Sequence, residues 1–241
     1  MKAAGTVDGG VGALARLPMV GPTLVLQKLR RRLWSTRRAI AVVRDLDHAP
    51  SLSGGVHVEL VDANAFVALP RLVSTTVGAE YLYVRPIERT RQAGAGRLAV
   101  ATDDAGELMA FHFVHAECDA DALDRVAPKM YPKMASDEVL TEAVYCLPAY
   151  RGQDVMPTLL RATGALLAAE GIRRAWAYID TTNTASLGLF RRAGYNPSGR
   201  ERVDRYRFYR FTTEFRELTP ITKAEWAIID ERNARVVGAP R

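Results

Sequence analysis

Tyr150-Arg151-Gly152-Gln153-Asp154-Val155-Met156-Pro157 is the stretch on which the fold of this chain turns. A strand-like run, Glu138 to Leu147, precedes it and stops at Pro148. Behind it, Gln153 to Glu170 reads as a helix, because Val155, Leu159, Leu160, Thr163, Leu166 and Leu167 recur on one face. Gly171 supplies the stop. The first turn of such a helix has backbone N–H groups without intrahelical partners, and the positive end of its dipole points the same way. A strand, turn and helix in this order suit a diphosphate. Gly152 lets backbone approach a ligand closely, and Arg151 can add a charge-assisted contact.

Working outward, Arg174 to Ile179 reads as a strand and Asn183 to Arg192 as a helix. Val203 to Phe211 reads as one last alternating strand, in which Arg205, Arg207 and Arg210 interleave with Tyr206, Phe208 and Tyr209. Exposed arginines alternating with buried aromatic rings account for that pattern without nucleic acid. Upstream, Arg97–Thr102 and Glu107–His115 flank the turn Asp103-Asp104-Ala105-Gly106, a hairpin signal. Asp119 to Ala127 suggests a short helix, and Pro128 to Pro132 a loop. Val56 to Val61 alternates as a strand, and Asp62-Ala63-Asn64 offers caps for a helix to about Val73. A second helical stretch spans Ala79 to Gln92, interrupted at Pro86. The order of elements predicts an α/β (α+β) domain with a mixed sheet.

The beginning reads differently. Residues 1–20 are rich in Gly and Ala. Leu24 to Arg38 has Leu26, Leu29, Leu33 and Trp34 at helical spacing beside Arg30-Arg31-Arg32, which predicts a basic amphipathic helix. Ala39 to Val43 is a short strand candidate, and His48 to Gly55 a linker. The expected organisation is a flexible start and basic helical arm over 1–55, a domain over 56–215 and a tail over 216–241. The arm packs on the domain with a solvated Arg face, or meets nucleic acid or an anionic membrane.

Two motifs about thirty residues apart, Tyr150–Pro157 and Asn183-Thr184-Ala185-Ser186 with Phe190-Arg191-Arg192-Ala193-Gly194-Tyr195, resemble the cofactor-binding half of a GCN5-related N-acetyltransferase (GNAT). The resemblance covers about residues 97–211. The family's coenzyme A loop runs Arg or Gln, two residues, Gly, one residue, then Gly or Ala. Arg151 and Gly152 fit its Tyr-Arg-Gly form, whereas Asp154 and Met156 stand where the two motif positions are expected. The resemblance implies a strongly bent mixed sheet with helices on both faces and acyl-CoA between splayed central strands. It implies diphosphate contacts from Arg151, Gly152, Gln153, Asp154, Val155 and Met156. Asn183, Ser186 and Phe190 then lie beside the pantetheine arm, and the main chain of Val144, Tyr145, Cys146 and Leu147 pairs with its amides. A carboxylate on that strand serves as general base, Glu142 first and Glu138 second.

Both departures carry expectations. The Asp154 carboxylate is expected to cap the helix and compete with the diphosphate for the same donors. Phe190 stands where many family members use a Tyr to protonate the leaving thiolate, and it has no hydroxyl. A coenzyme A thiolate can leave without an enzymatic acid. The implied activity is transfer of an acyl group, acetyl first, from coenzyme A to a primary amine such as a small molecule. An acidic acyl carrier protein is the alternative donor, and a binding module without catalysis is the third reading.

Composition sets the outer bounds. The chain has 241 residues, 48% hydrophobic and 25% charged, with a net charge of +6 and a pI near 9.5. That balance fits a folded domain with a phosphorylated cofactor, an acidic carrier protein, nucleic acid or anionic lipid. No apolar run reaches the roughly 20 residues of a spanning helix, and the expected location is the cytoplasm. Cys118 and Cys146 read as free thiols. No His stands at a recognisable spacing from Cys146, which disfavours a thiol nucleophile. His112 and His115, three apart in a strand, point to opposite faces, so no metal site is expected. A homodimer is left open.

Overall fold

The computed structural model describes residues 34–46, 56–64, 66, 72, 87–208 and 210–218. Eight strands form one sheet: β1 Trp34–Asp45, β2 His57–Asp62, β3 Arg97–Thr102, β4 Leu108–His115, β5 Glu138–Cys146, β6 Arg174–Asp180, β7 Asn196–Arg207 and β8 Arg210–Glu217. Their order is β2-β3-β4-β5-β6-β1-β7-β8. Every neighbouring pair is antiparallel except β5 and β6, which are parallel. The parallel pair needs a crossover, and helix α2, Val155–Ala169, provides it. Helix α1, Ala120–Val126, links β4 to β5, and helix α3, Thr184–Arg192, links β6 to β7. The mixed sheet follows the sequence reading.

The sheet separates two apolar layers. On one side α2 and α3 bury Leu159, Leu160, Leu167, Leu187 and Phe190 against Val139, Ala175, Ala177 and Val42. Arg44 of β1 lies inside this layer and donates to the Leu160 carbonyl at 3.2 Å. Gly164 makes room for it, since a Cβ there would stand 2.9 Å from the guanidinium. On the other side Ile87, Phe111, Phe113 and Tyr145 form one cluster, and Leu140, Trp176 and Ala41 a second.

Three sequence expectations change. The basic helix expected over 24–38 does not extend past residue 33, because Trp34–Arg38 are strand. Trp34–Arg38 pair with β7, and from Ala39 onward β1 is also paired with β6, with Ala39 opposite Asp180 on β6 and Arg202 on β7. β1 therefore belongs to the middle of the sheet, not to an arm ending at residue 55. The single strand expected over 203–211 is a hairpin: Phe208 has φ +47°, is 71% exposed, and turns the chain between Arg207 and its partner Arg210. Residues 87–92 are helical, matching the end of the stretch expected over 79–92. The remainder of that stretch, nearly all of the helix expected to Val73, residues 1–33 and residues 219–241 lie outside the described residues.

Candidate active site

β5 starts as an ordinary strand and stops being one halfway along. Its parallel pairing with β6 covers only Glu138, Val139 and Leu140, opposite Arg174, Ala175 and Trp176. Beyond Leu140 the two strands diverge. On the other edge, Phe113 faces Glu142 and Phe111 faces Tyr145, so His112 alone opposes both Ala143 and Val144. This is a β-bulge, with Ala143 held at φ +52°. The bulge shifts the side-chain phase. Leu140 and Ala143 pack with the clusters opposite the helices, whereas Val139, Val144 and Cys146 pack toward α2. The face that strand periodicity gives Glu138, Leu140 and Glu142 is therefore not continued at Val144 and Cys146.

Glu142 sits at the point of divergence, next to the bulge. Its side chain is 34% exposed, hydrogen-bonds the Tyr131 hydroxyl and feels the Arg202 charge. Desolvation raises its pKa above the usual carboxylate value, only partly offset by Arg202 and Tyr131. The Tyr131 hydroxyl stays protonated well above its normal range, because it is buried and faces Glu142. His115 Nε2 lies 3.9 Å from Glu142 Oε2, and neither ring nitrogen has a hydrogen-bond partner. Burial lowers the His115 pKa to about 3, so the ring is neutral. Glu138, by contrast, is engaged by Arg174 at 2.8 Å and accepts the Ala135 N–H at 3.2 Å.

Past the bulge, Leu147 N–H donates to the Met109 carbonyl on the β4 side. Strand alternation puts the main-chain groups of Cys146 on the opposite edge from those of Leu147. Tyr145 is buried against Phe111, with ring centroids 5.5 Å apart. Arg151 donates from Nε to the Cys146 carbonyl at 3.0 Å, which holds its guanidinium beside this edge. Burial raises the Cys146 thiol pKa, which disfavours a thiolate.

The loop before α2 contains two left-handed residues, Gly152 and Asp154, with Gln153 between them. Gly152 has φ +80°, and a Cβ there would meet nothing within 4 Å, so glycine is used for its dihedral rather than for space. Asp154, the residue before α2, is also left-handed, with φ +59°. Its carboxylate makes no cap bond. It turns back along the helix to Arg161 Nη2 at 3.4 Å and Arg192 Nε at 3.6 Å. The expected competition between Asp154 and a diphosphate for the helix donors is thus absent from the geometry. Gln153 donates to the Ala149 carbonyl at 2.9 Å. The side chains of Val155 and Met156 are buried in the core, leaving only their main chain for a ligand.

Asn183 caps α3, its Oδ1 accepting the Ser186 N–H at 3.1 Å. It also lines a cleft of about 740 Å³ with Ser35, Arg37, Arg38, Asp180 and Thr182, at the end where β6 stops. Glu142 is not among the described lining residues of that cleft. Phe190 is buried, and Tyr195 meets it edge-on at 4.9 Å. Tyr195 shares a hydrogen bond of 3.3 Å with Thr141, next to Glu142 on β5.

Sequence reasoning missed the surroundings of Glu142: Tyr131, His115, Arg202, Asp204 and Trp176. They come from β4, a loop, β6 and β7, and only the sheet order brings them together. His112 and His115 do face opposite sides: His112 reaches Thr163 of α2 at 3.1 Å, while His115 stacks on Phe113 at 5.3 Å. Among the described residues no His, Cys, Asp and Glu cluster suits a metal, and no helix is long and apolar enough to cross a membrane.

Residues 125–195 match the family described as Acetyltransferase (GNAT) family. No curated protein matches the chain. Similar solved structures include a GCN5-related N-acetyltransferase from Sphaerobacter thermophilus, 13% identical, with 82% of this chain and 57% of that chain covered and a TM-score of 0.44. An acetyltransferase of the GNAT family from Colwellia psychrerythraea is 11% identical, with 79% and 63% covered and a TM-score of 0.46. A GCN5-related N-acetyltransferase from Kribbella flavida is 14% identical, with 74% and 60% covered and a TM-score of 0.40. This chain spans less than two thirds of the length of each.

Proposed function

We propose, from the premise that this chain is a divergent member of the GNAT superfamily, that it transfers an acyl group, acetyl first, from coenzyme A to a primary amine. The observation that carries this reading is the position of Glu142. It stands one residue before the bulge and two residues after the last β5–β6 pair, where a reaction partner can enter from the sheet face.

The residues fit the donor. The N-terminus of α2, the dihedral of Gly152 and the nearby Arg151 suit a diphosphate. The Asp154 charge is screened by Arg161 and Arg192. The edge of β5 at Val144 and Cys146 suits the amides of a pantetheine arm. When bound, the thioester supplies an activated acyl carbon and a thiolate leaving group. Main-chain N–H groups at the bulge polarise the acyl oxygen. Glu142 removes a proton from the entering ammonium, and its raised pKa brings it closer to the working range of a general base. Tyr131 fixes the carboxylate by hydrogen bonding, and holding the two reactants together supplies much of the acceleration. Phe190 offers no proton, so the thiolate leaves unprotonated or takes a proton from water.

The carrier-protein alternative drew its reason from Asp154. With that carboxylate turned away from the helix amides, no observation favours it. The test is titration of acetyl-CoA into the protein, followed by an amine-dependent assay of free thiol with the wild type and Glu142→Gln. Support is binding on the order of micromolar to submillimolar and thiol release that collapses in the variant. Absence of acetyl-CoA binding overturns the reading.

A further inference from the structure

Among the described residues, four buried side-chain nitrogens have no hydrogen-bond partner. They are both ring nitrogens of His115, Nε1 of Trp176 and Nε of Arg202. Trp176 is 8% exposed and packs beside Leu140, two residues before Glu142 on the same strand. Arg202 acts on Glu142 electrostatically, and His115 is 3.9 Å from it. Folded proteins satisfy nearly all such atoms. Two of the three residues concerned, His115 and Arg202, neighbour the candidate base.

The charges on this face specify the ligand further. Arg174 is paired with Glu138 at 2.8 Å, and Arg202 with Asp204 at 3.3 Å. Arg200 is exposed, lies 5.4 Å from the Trp176 ring centroid and makes no ion pair among the described residues. Glu142 hydrogen-bonds Tyr131, which packs on the cluster of Trp176 and Leu140, and His115 Nε2 lies 3.9 Å from its carboxylate. Contacts through Tyr131 and Trp176 thus link the Glu142 carboxylate to the Arg200 guanidinium, while the Trp176 indole N–H and the Arg202 Nε–H are buried without a partner. Indole and guanidinium N–H groups donate only, so the atoms they seek are acceptors.

We propose that the amine acceptor also carries a carboxylate, making it a small zwitterion of the amino-acid type. Its ammonium sits at Glu142, and its carboxylate lies over Trp176, taking hydrogen bonds from Arg200 and from the buried donors. A polycationic amine would lose by facing Arg200, Arg202 and Arg174. A neutral hydroxylated amine would leave the Arg200 charge without a counterion.

This inference rests on the acyltransferase reading, and the test separates the two. Protein saturated with coenzyme A is titrated calorimetrically with amino acids and with the amines that their decarboxylation gives, and with a linear polyamine. The expected result is about tenfold or tighter binding of the carboxylated member of each pair, as one charge-assisted bond predicts. Arg200→Ala, on the exposed surface, should bring the two members together without weakening coenzyme A. Equal binding within pairs, preference for the polyamine, or no amine binding to the coenzyme A complex overturns the carboxylate inference and leaves the donor site standing. Failure to bind coenzyme A overturns the acyltransferase reading itself.

Discussion

The Glu142 carboxylate stands 3.9 Å from the His115 imidazole, yet the two do not form a charged pair, because burial keeps the ring neutral. Desolvation disfavours the charge of Glu142, and Tyr131 and Arg202 partly offset that effect. Glu142→Gln should lower kcat by about 10²- to 10⁴-fold, the usual contribution of a positioned base. In the wild type, kcat/KM should rise with pH through an acid limb placed above the ordinary carboxylate value. That limb should vanish in the variant. Steady-state rates across pH with one amine check both points.

The same residue should trade stability for function. A carboxyl whose folded pKa is raised favours the fold below its unfolded pKa and loses that contribution as pH rises through the folded pKa. Gln carries no charge at any of these values. Glu142→Gln should therefore melt at or above the wild-type temperature at neutral pH, with the gap closing as pH falls toward the unfolded carboxyl pKa. Thermal melts across pH measure the gap. A variant that is less stable at neutral pH by the same margin as at low pH contradicts the argument.

His112 and His115 act in the opposite sense. Their pKa values are pushed down to about 4 and about 3 by burial. Each contributes stability that is present above pH 6.5 and is lost as pH falls through the folded values. Between those limits each adds up to ~1.4 kcal/mol per pH unit to the slope of unfolding free energy. Chemical denaturation from pH 7.5 to 4.5 should show a decline that becomes shallower in His115→Phe, which keeps the stacking on Phe113 without the titration.

Asp154 answers a question that the sequence raised. Its carboxylate is turned to Arg161 and Arg192, so its removal exposes no helix donors. Exposed pairs of this kind are worth about 0–1 kcal/mol. Asp154→Gly should change acetyl-CoA affinity by no more than about fivefold. A gain of a hundredfold in calorimetry would show that the acid does obstruct the site.

The sequence disclosed the strand, loop and helix from 138 to 170 because hydrophobic period, Gly152 and Gly171 all act locally. It also disclosed the helix that Asn183 opens. It did not disclose that β1 begins at Trp34, since the helical spacing that includes Trp34 is a local signal overruled by pairing with β7. Nor did it disclose the bulge at Ala143, whose cause is a mismatch between two strands thirty residues apart. Tyr131, Trp176 and Arg202 are far apart in the chain, and their meeting depends on β5, β6, β1 and β7 lying in that order. Residue types alone could flag Glu142, but not its company.

Phe190 and Tyr195 give the last prediction. The hydroxyl missing at Phe190 is present on Tyr195, which meets the Phe190 ring and bonds Thr141 at 3.3 Å. Both positions are buried, and Tyr195 is held protonated by desolvation. If the bond to Thr141 is structural, Tyr195→Phe should cost about 1 kcal/mol, a fall in Tm of roughly 2–4 °C for a chain of this size. Its kcat should stay within about threefold, far less than one general acid contributes. Phe190→Tyr places a hydroxyl among Leu187, Tyr195 and the sheet, where no partner is prepared, and should lower Tm without raising kcat. A higher kcat in Phe190→Tyr, with a new alkaline limb in its pH profile, would mean that the ring faces the leaving thiolate and that the missing hydroxyl limits the rate.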